Sequence, residues 1–388
     1  MLRFLTRLLS LAALASASLA QVPMPSAPAA APVPAPPAIG ASSFVLLDFQ
    51  SGRVLASRNP DEPLPPASLT KVMTAYLVFT ELAAGRLALG DMVTVSEKAW
   101  RRTGSRMFIE VGKRVSVEDL LRGMIIQSGN DATLALAEHI AGSEEAFAGL
   151  MNKQARALGM VNTHFVTVDG LPGEGHVSSA RDMALLARAM VANFPDYYAW
   201  YSEREFTFNG IRQHNRNSLL WRDDSVDGLK TGHTEAAGYC LISSAKRGDM
   251  RLISVVMGSA SERSRADESQ ALLNYGFRFF ETHRLYDAGS PLAEPRLWKG
   301  QHEQVPLGID RDLVVTLPRG GYERLSANLR INRQLVAPLA QGDQVGELVV
   351  SLDGEILASQ PLFVLEARPE GGILRRVGDG LRMWWAGE

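Results

Sequence analysis

The apolar pattern of this chain changes character after Leu285, and nothing else in the sequence limits the fold as much. Ahead of that point, from Ala67 to about Ser259, the spacing is mainly helical. Ser116 stands three residues before Asp119 and Ser179 three before Asp182, as N-caps do, while Gly142 and Gly159 serve as stops. Beyond it the chain breaks into short strand-like runs, Leu313 to Leu317, Glu347 to Leu352 and Glu355 to Leu357, the last two joined across Asp353-Gly354. Strands also flank the helical part. Phe44 to Asp48 and Arg53 to Ser57 form a predicted hairpin about Ser51-Gly52. Gly238 to Ala245 and Arg251 to Met257 meet through Lys246-Arg247-Gly248-Asp249, and a helix follows from about Ser264 to Phe280. Helices mixed with antiparallel strands predict an α+β domain over residues 41–284, followed by a small all-β, sandwich-like domain over residues 285–368. Two cores suit 388 residues of 46% apolar content, since one core seldom grows past ~250–300 residues.

Both ends have a different character. Arg3 and Arg7, the apolar run Leu8 to Leu14 and the small-residue site Ser18-Leu19-Ala20 read as a secretory signal over residues 1–20, which predicts export. Residues 21–40 are rich in Pro and Ala and are expected to be a linker. Residues 369–388 predict an amphipathic helix. Ile373, Leu374, Val377, Leu381, Trp384 and Trp385 fall on one side of it and Arg375, Arg376, Asp379 and Arg382 on the other. That segment is too short and charged to span a bilayer, so the expectation is a peripheral anchor on the membrane surface, set off from the last strand by Pro369-Glu370-Gly371-Gly372.

Several chemistries are disfavoured. A formal charge of −2 gives no basic field for gathering phosphates, so no nucleic-acid partner is expected. Cys240 is the only cysteine and lies in the apolar run Tyr239-Cys240-Leu241-Ile242, which predicts a packing residue rather than a disulfide or a nucleophile. His139, His164, His176 and His214 show no metal-ligand spacing, and neither a metal nor an organic cofactor is implied.

Three short elements carry the chemistry. Ser68 and Lys71 lie three apart after Pro65-Pro66, where a helix start would hold a hydroxyl and an amine on one face. The free N–H groups there favour a developing anion at Ser68 and help lower the pKa of Lys71, which could then take the serine proton. The pair alone is weak, because S-x-x-K arises about once by chance in a chain of this length. Ser243 and Lys246 repeat the spacing on a predicted strand, where residues three apart face opposite ways. Ser128-Gly129-Asn130 is expected in a tight turn between helices, with Ser128 suited to relay a proton to a leaving amine. Asn130 is suited to donate to a substrate carbonyl and to hold Lys71. Lys230-Thr231-Gly232 is expected on an edge strand that offers backbone groups to an extended peptide, with Gly232 permitting close approach and Lys230 and Thr231 meeting an anionic end.

In this order and at these separations the three elements resemble the penicilloyl serine transferases. The likeness is closer still to the low-molecular-mass penicillin-binding proteins, the D-alanyl-D-alanine carboxypeptidases. It runs through Pro66-Ala67-Ser68-Leu69-Thr70-Lys71-Val72-Met73-Thr74 and Val226-Asp227-Gly228-Leu229-Lys230-Thr231-Gly232-His233-Thr234 and covers nearly all of the mature chain. The resemblance implies a β-lactamase/transpeptidase-like catalytic domain. It also implies Ser68 as the acylated residue, Lys71 as base, Ser128 and Asn130 as shuttle and positioner, and Lys230 and Thr231 as carboxylate binders. The N–H groups of Ser68 and His233 would form the oxyanion hole. Arg216 and Arg265, in family-like segments, are further candidates for the terminal carboxylate. The implied partners are a peptidoglycan stem peptide ending in D-Ala-D-Ala, β-lactam antibiotics and, through the C-terminal helix, the periplasmic face of the bacterial inner membrane. Three readings compete with carboxypeptidase action. A D,D-endopeptidase of this family often lacks the β domain. A class A β-lactamase carries S-D-N and a deacylating Glu, neither of which is found here. A non-catalytic wall binder would not need every catalytic side chain.

Overall fold

The computed structural model describes residues 33–331 and 334–386. The predicted signal segment and residues 21–32 of the predicted linker lie outside the described residues.

The first strand, Ser43–Asp48, is buried along its whole length, because helical layers cover both faces of the sheet it enters. Its side chains alternate between two cores. Val45 and Leu47 join the larger one with Ile242, Ile253 and Val255, whereas Phe44 and Leu46 join Leu241, Leu252 and Val256 on the other face. Five antiparallel strands make up the sheet, in the spatial order Val54–Arg58, Ser43–Asp48, Met250–Ser259, Gly238–Arg247, Val226–Thr234. The strand carrying Lys230 is therefore an edge, as the sequence predicts. The predicted hairpins and the helix Glu262–Phe279 form within two residues of their expected ends or run slightly longer. Ser116 and Ser179 each accept the N–H three residues on, and Gly142 ends its helix at φ +78°.

Phe280–Tyr286 leaves the last catalytic helix and pairs with Leu313–Pro318. That two-stranded sheet faces a four-stranded one, ordered Leu307–Gly308, Glu355–Val364, Gln344–Leu352, Leu325–Ile331, through Leu313, Val315, Leu317, Leu348 and Val350. The two domains share a polar joint. Thr282 Oγ1 donates to Asp48 Oδ2 at 2.8 Å, Arg53 Nη1 donates to the Thr316 carbonyl at 2.6 Å, and the Ser51 and Thr316 hydroxyls are 2.6 Å apart.

Three expectations need correction. Residues 33–40 are not a free tether: Val33 and Ile39 pack on the smaller core, the Pro34 carbonyl accepts from Tyr275 at 3.0 Å, and Gly40 N donates to Glu268 at 2.9 Å. The link before the C-terminal helix Ile373–Ala386 does not detach it, since Gly371 N donates to the Lys299 carbonyl and Asp379, 4% exposed, accepts from Lys299 N, both at 2.8 Å. The stretch read as mainly helical also holds two small strand pairs, Met92–Thr94 with Arg114–Ser116 and the hairpin Glu205–Phe208 with Ile211–His214. No helix among the described residues is long and apolar enough to cross a membrane.

Candidate active site

Ser68 sits in a 3₁₀ turn, Ala67–Thr70, that runs into the helix Lys71–Ala83. The sequence predicts an α-helical start. The tighter turn serves the pair better, because at three residues per turn positions 68 and 71 lie one above the other. Lys71 Nζ is 2.9 Å from Ser68 Oγ and 2.6 Å from the Asp169 carbonyl, with the lysine 1% exposed. Burial lowers its pKa to about 8; the Asp169 charge opposes that shift and the Arg102 and Arg216 charges add to it. Gly170, at φ +87°, packs so tightly on this turn that a Cβ there would run into the Ala67 carbonyl.

Ser128 and Asn130 line the same cleft of about 420 Å³ as Ser68. The turn that carries them follows the helix Val117–Ile125, with Ser128 at φ +69°, and the next helix begins at Asn130 itself. One expectation shifts. Asn130 makes no hydrogen bond to Lys71; its Nδ2 donates to the Thr103 carbonyl at 2.6 Å, and the Asp169 carbonyl holds the lysine instead.

Across the cleft runs the edge strand, with Thr231, Gly232, His233 and Thr234 among the lining residues. A Cβ on Gly232 would lie 3.2 Å from Ser68 N, so a residue without a side chain lets the strand approach the serine's N–H. Lys230 does not line the cleft. It is 3% exposed, donates to the Thr231 carbonyl at 3.0 Å, and is pushed well below the usual lysine pKa by burial and by the charges of Lys71, Arg216 and Arg265. Arg216 and Arg265 do line it. Arg216 is exposed, while Arg265, 4% exposed, reaches the Gly232 carbonyl at 3.3 Å and sits 5.6 Å from the Tyr239 ring centre. The two arginines thus line the cleft itself, and Lys230 is buried within reach of their charges.

Ser243 and Lys246, the chance repeat of the spacing, fall on the strand Gly238–Arg247, with Ser243 fully buried. Cys240 is also fully buried, and burial pushes its thiol up to about 11.

Sequence reasoning misses three supports. Asp131, fully buried, accepts from the N–H groups of Met107 and Phe108 at 2.9 Å and of Ile109 at 3.3 Å, and so shapes the loop beside Asn130. His176 Nδ1 accepts from Val166 N at 2.9 Å and its Nε2 lies 2.9 Å from Thr70 Oγ1, which ties the loop bearing Asp169 to the catalytic turn; burial holds this imidazole down at about 4. Arg102 binds the Asp169 carboxylate through Nε at 2.6 Å and Nη2 at 3.1 Å, so that acid is not free to activate water. Only the acidic residue at a helix start, Asp131, leaves a trace in the sequence.

Known proteins are similar to this chain in sequence and in fold. The D-alanyl-D-alanine carboxypeptidase family matches residues 30–261, and the family described as the penicillin-binding protein 5 C-terminal domain matches residues 280–370. The chain is 48% identical over 355 residues to the D-alanyl-D-alanine carboxypeptidase DacC of Escherichia coli K12, covering 89% of each. With DacA of the same organism it shares 45% over 359 residues, covering 90% of this chain and 89% of that one. Penicillin binding protein 5 from Haemophilus influenzae superposes with a TM-score of 0.84 at 45% identity, over 86% of this chain and 99% of that one. The α+β catalytic domain, the all-β domain and the terminal helix, together with these likenesses, establish that the chain belongs to the serine-type D-alanyl-D-alanine carboxypeptidases.

Proposed function

We propose that this protein removes the terminal D-alanine from peptidoglycan pentapeptide stems through an acyl-enzyme on Ser68, and that β-lactams acylate the same residue. The observation that carries the reading is the 2.9 Å contact between the buried amine of Lys71 and the hydroxyl of half-buried Ser68, opposite an edge strand. An extended peptide adds to that edge by backbone hydrogen bonds, and its terminal carboxylate meets Arg216, Arg265 and Thr231. Lys230, buried on the face of the strand that Gly232 turns toward the Ser68 turn, adds its charge to that field. Lys71 takes the Ser68 proton as the hydroxyl attacks the penultimate carbonyl, and the Ser68 and His233 N–H groups bind the resulting oxyanion. Ser128 passes a proton to the departing D-alanine nitrogen while Asn130 orients the peptide. Water then releases the shortened stem. Incubation with a pentapeptide ending in D-Ala-D-Ala tests the reading: free D-alanine is the expected product, and its absence from protein that binds a fluorescent penicillin overturns the carboxypeptidase assignment.

We also propose that the exported protein rests on the outer face of the cytoplasmic membrane through its C-terminal helix. What supports this is an apolar face left open although the helix is docked. Ile373, Leu374, Val377, Leu381, Trp384 and Trp385 are between 58% and 92% exposed, while Asp379 faces the β domain. Tryptophans suit the interfacial zone, and Arg375, Arg376 and Arg382 suit anionic headgroups. Deleting residues from Gly371 onward is expected to abolish co-sedimentation with anionic vesicles and to leave cleavage of a soluble peptide in place. Undiminished vesicle binding would rule the anchor out.

A further inference from the structure

We infer that Arg102 is a positioning residue for the proton transfer: by pairing with Asp169 it keeps a buried carboxylate from holding Lys71 as an ammonium ion. The inference rests on the reading of Lys71 as the base. Arg102 touches neither Ser68 nor the substrate groups of the edge strand. It follows the short helix Glu97–Trp100, and its guanidinium, 16% exposed, is shared between two acids. Asp169, fully buried at the side chain, receives Nε and Nη2; Glu144, 9% exposed, receives Nη2 at 2.6 Å and Nη1 at 3.2 Å.

The reason this matters lies in what surrounds Lys71. Two carboxylates favour its charged form, Asp169 from the loop whose carbonyl it touches and Asp131 from the start of the Asn130 helix. Against it stand Arg102, Arg216 from the loop after Ile211–His214, and Lys230 on the edge strand. His176, which binds Thr70 beside it, is held neutral by burial. Asp131 spends its charge on the N–H groups of Met107, Phe108, Ile109 and Ala132. Asp169 has one N–H, from Leu171 at 3.0 Å, and otherwise depends on Arg102. Burial alone would raise Asp169, yet the Arg102 hydrogen bond and the Lys71 and Arg102 charges outweigh it and hold the carboxyl below its usual value. Without the guanidinium, Lys71 becomes the nearest cation to a buried anion, and the two would keep the proton on nitrogen. Arg102 also screens a group whose carbonyl is indispensable for placing Nζ, so the acid cannot be disposed of by moving the loop away.

The test is the pH dependence of penicillin acylation for full-length protein. Arg102→Gln is expected to move the acidic limb up by about 1–3 pH units, with loss of rate near neutrality and recovery toward the wild-type plateau at high pH. Arg102→Lys, which keeps the charge, should stay near the wild-type limb. Asp169→Asn should move the limb down, and Arg102→Gln with Asp169→Asn should bring it back. Should Arg102→Gln fail to fold, comparing Asp169→Asn with the double variant reads the same effect. A limb that stays fixed in every variant, with rates lowered equally at all pH values, assigns Arg102 a merely structural role and overturns the inference. Failure of the underlying reading looks different: Lys71→Arg would then acylate at near wild-type rate.

Discussion

Ser68→Ala is expected to eliminate covalent penicillin labelling, and Ser243→Ala to leave it nearly intact. Both serines stand three residues before a lysine, so the sequence spacing alone would not separate them. Geometry does. Ser68 and Lys71 share the tight turn that opens a helix, and their polar atoms meet at 2.9 Å beside the cleft. Ser243 is fully buried on the strand next to the edge of a five-stranded sheet, opposite Ser254 of the middle strand, and Lys246 is exposed near the strand end. Residues three apart on a strand leave opposite faces, so no proton can pass between them. Loss of the nucleophile also removes D-alanine release; in serine proteases the equivalent change costs on the order of 10⁶ in kcat. Gel fluorescence with a labelled penicillin and a D-alanine assay check both. Labelling that survives Ser68→Ala would move the acylated residue elsewhere.

The same contrast shows what a sequence does and does not disclose. Period and punctuation carry the elements: Ser116, Ser179 and Gly142 mark helix ends because each satisfies orphan backbone groups through neighbours no more than a few residues away. The two strand pairs missed within the helical stretch differ in kind. Phe206-Thr207-Phe208-Asn209-Gly210-Ile211 carries an Asn-Gly turn between apolar positions and was legible, its Asn209 and Gly210 both adopting positive φ. Met92–Thr94 pairs with Arg114–Ser116 across a whole helix and loop, a partnership no local pattern encodes. The site divides along the same line. Ser68 and Lys71 are readable since one turn joins them, and the edge position of Lys230 follows from strand order. Arg102, Asp169 and Glu144 come from three separate segments. Their meeting depends on packing, as does the gathering of Arg216 and Arg265 at the cleft. The C-terminal link shows the opposite error: Gly371-Gly372 reads as a flexible break, but the Lys299 backbone captures Gly371 N and Asp379.

Lys71→Arg is expected to keep the positive charge and lose acylation. An arginine stays protonated at any pH the protein survives, so it can neutralise an anion but cannot accept the Ser68 proton. Lysine suits the task because its amine titrates when desolvated, and here burial brings it down to about 8. The sign of the pH dependence follows. With the neutral amine as the active form, penicillin acylation of the wild-type enzyme is expected to rise with pH through about 8 and level off above it. Loss of a general base typically costs about 10²–10⁴ in rate. The variant should fall by at least that much, since the larger guanidinium must also fit where Nζ now bridges Ser68 and the Asp169 carbonyl. Stopped-flow acylation from pH 6 to 10 measures rate and limb together. Lys71→Arg should lack the rising limb, while its thermal midpoint tells a packing defect from a chemical one. A variant that acylates at near wild-type rate with an unchanged limb would make Lys71 an electrostatic group, and the serine proton would have to leave by another group of the cleft, such as Ser128.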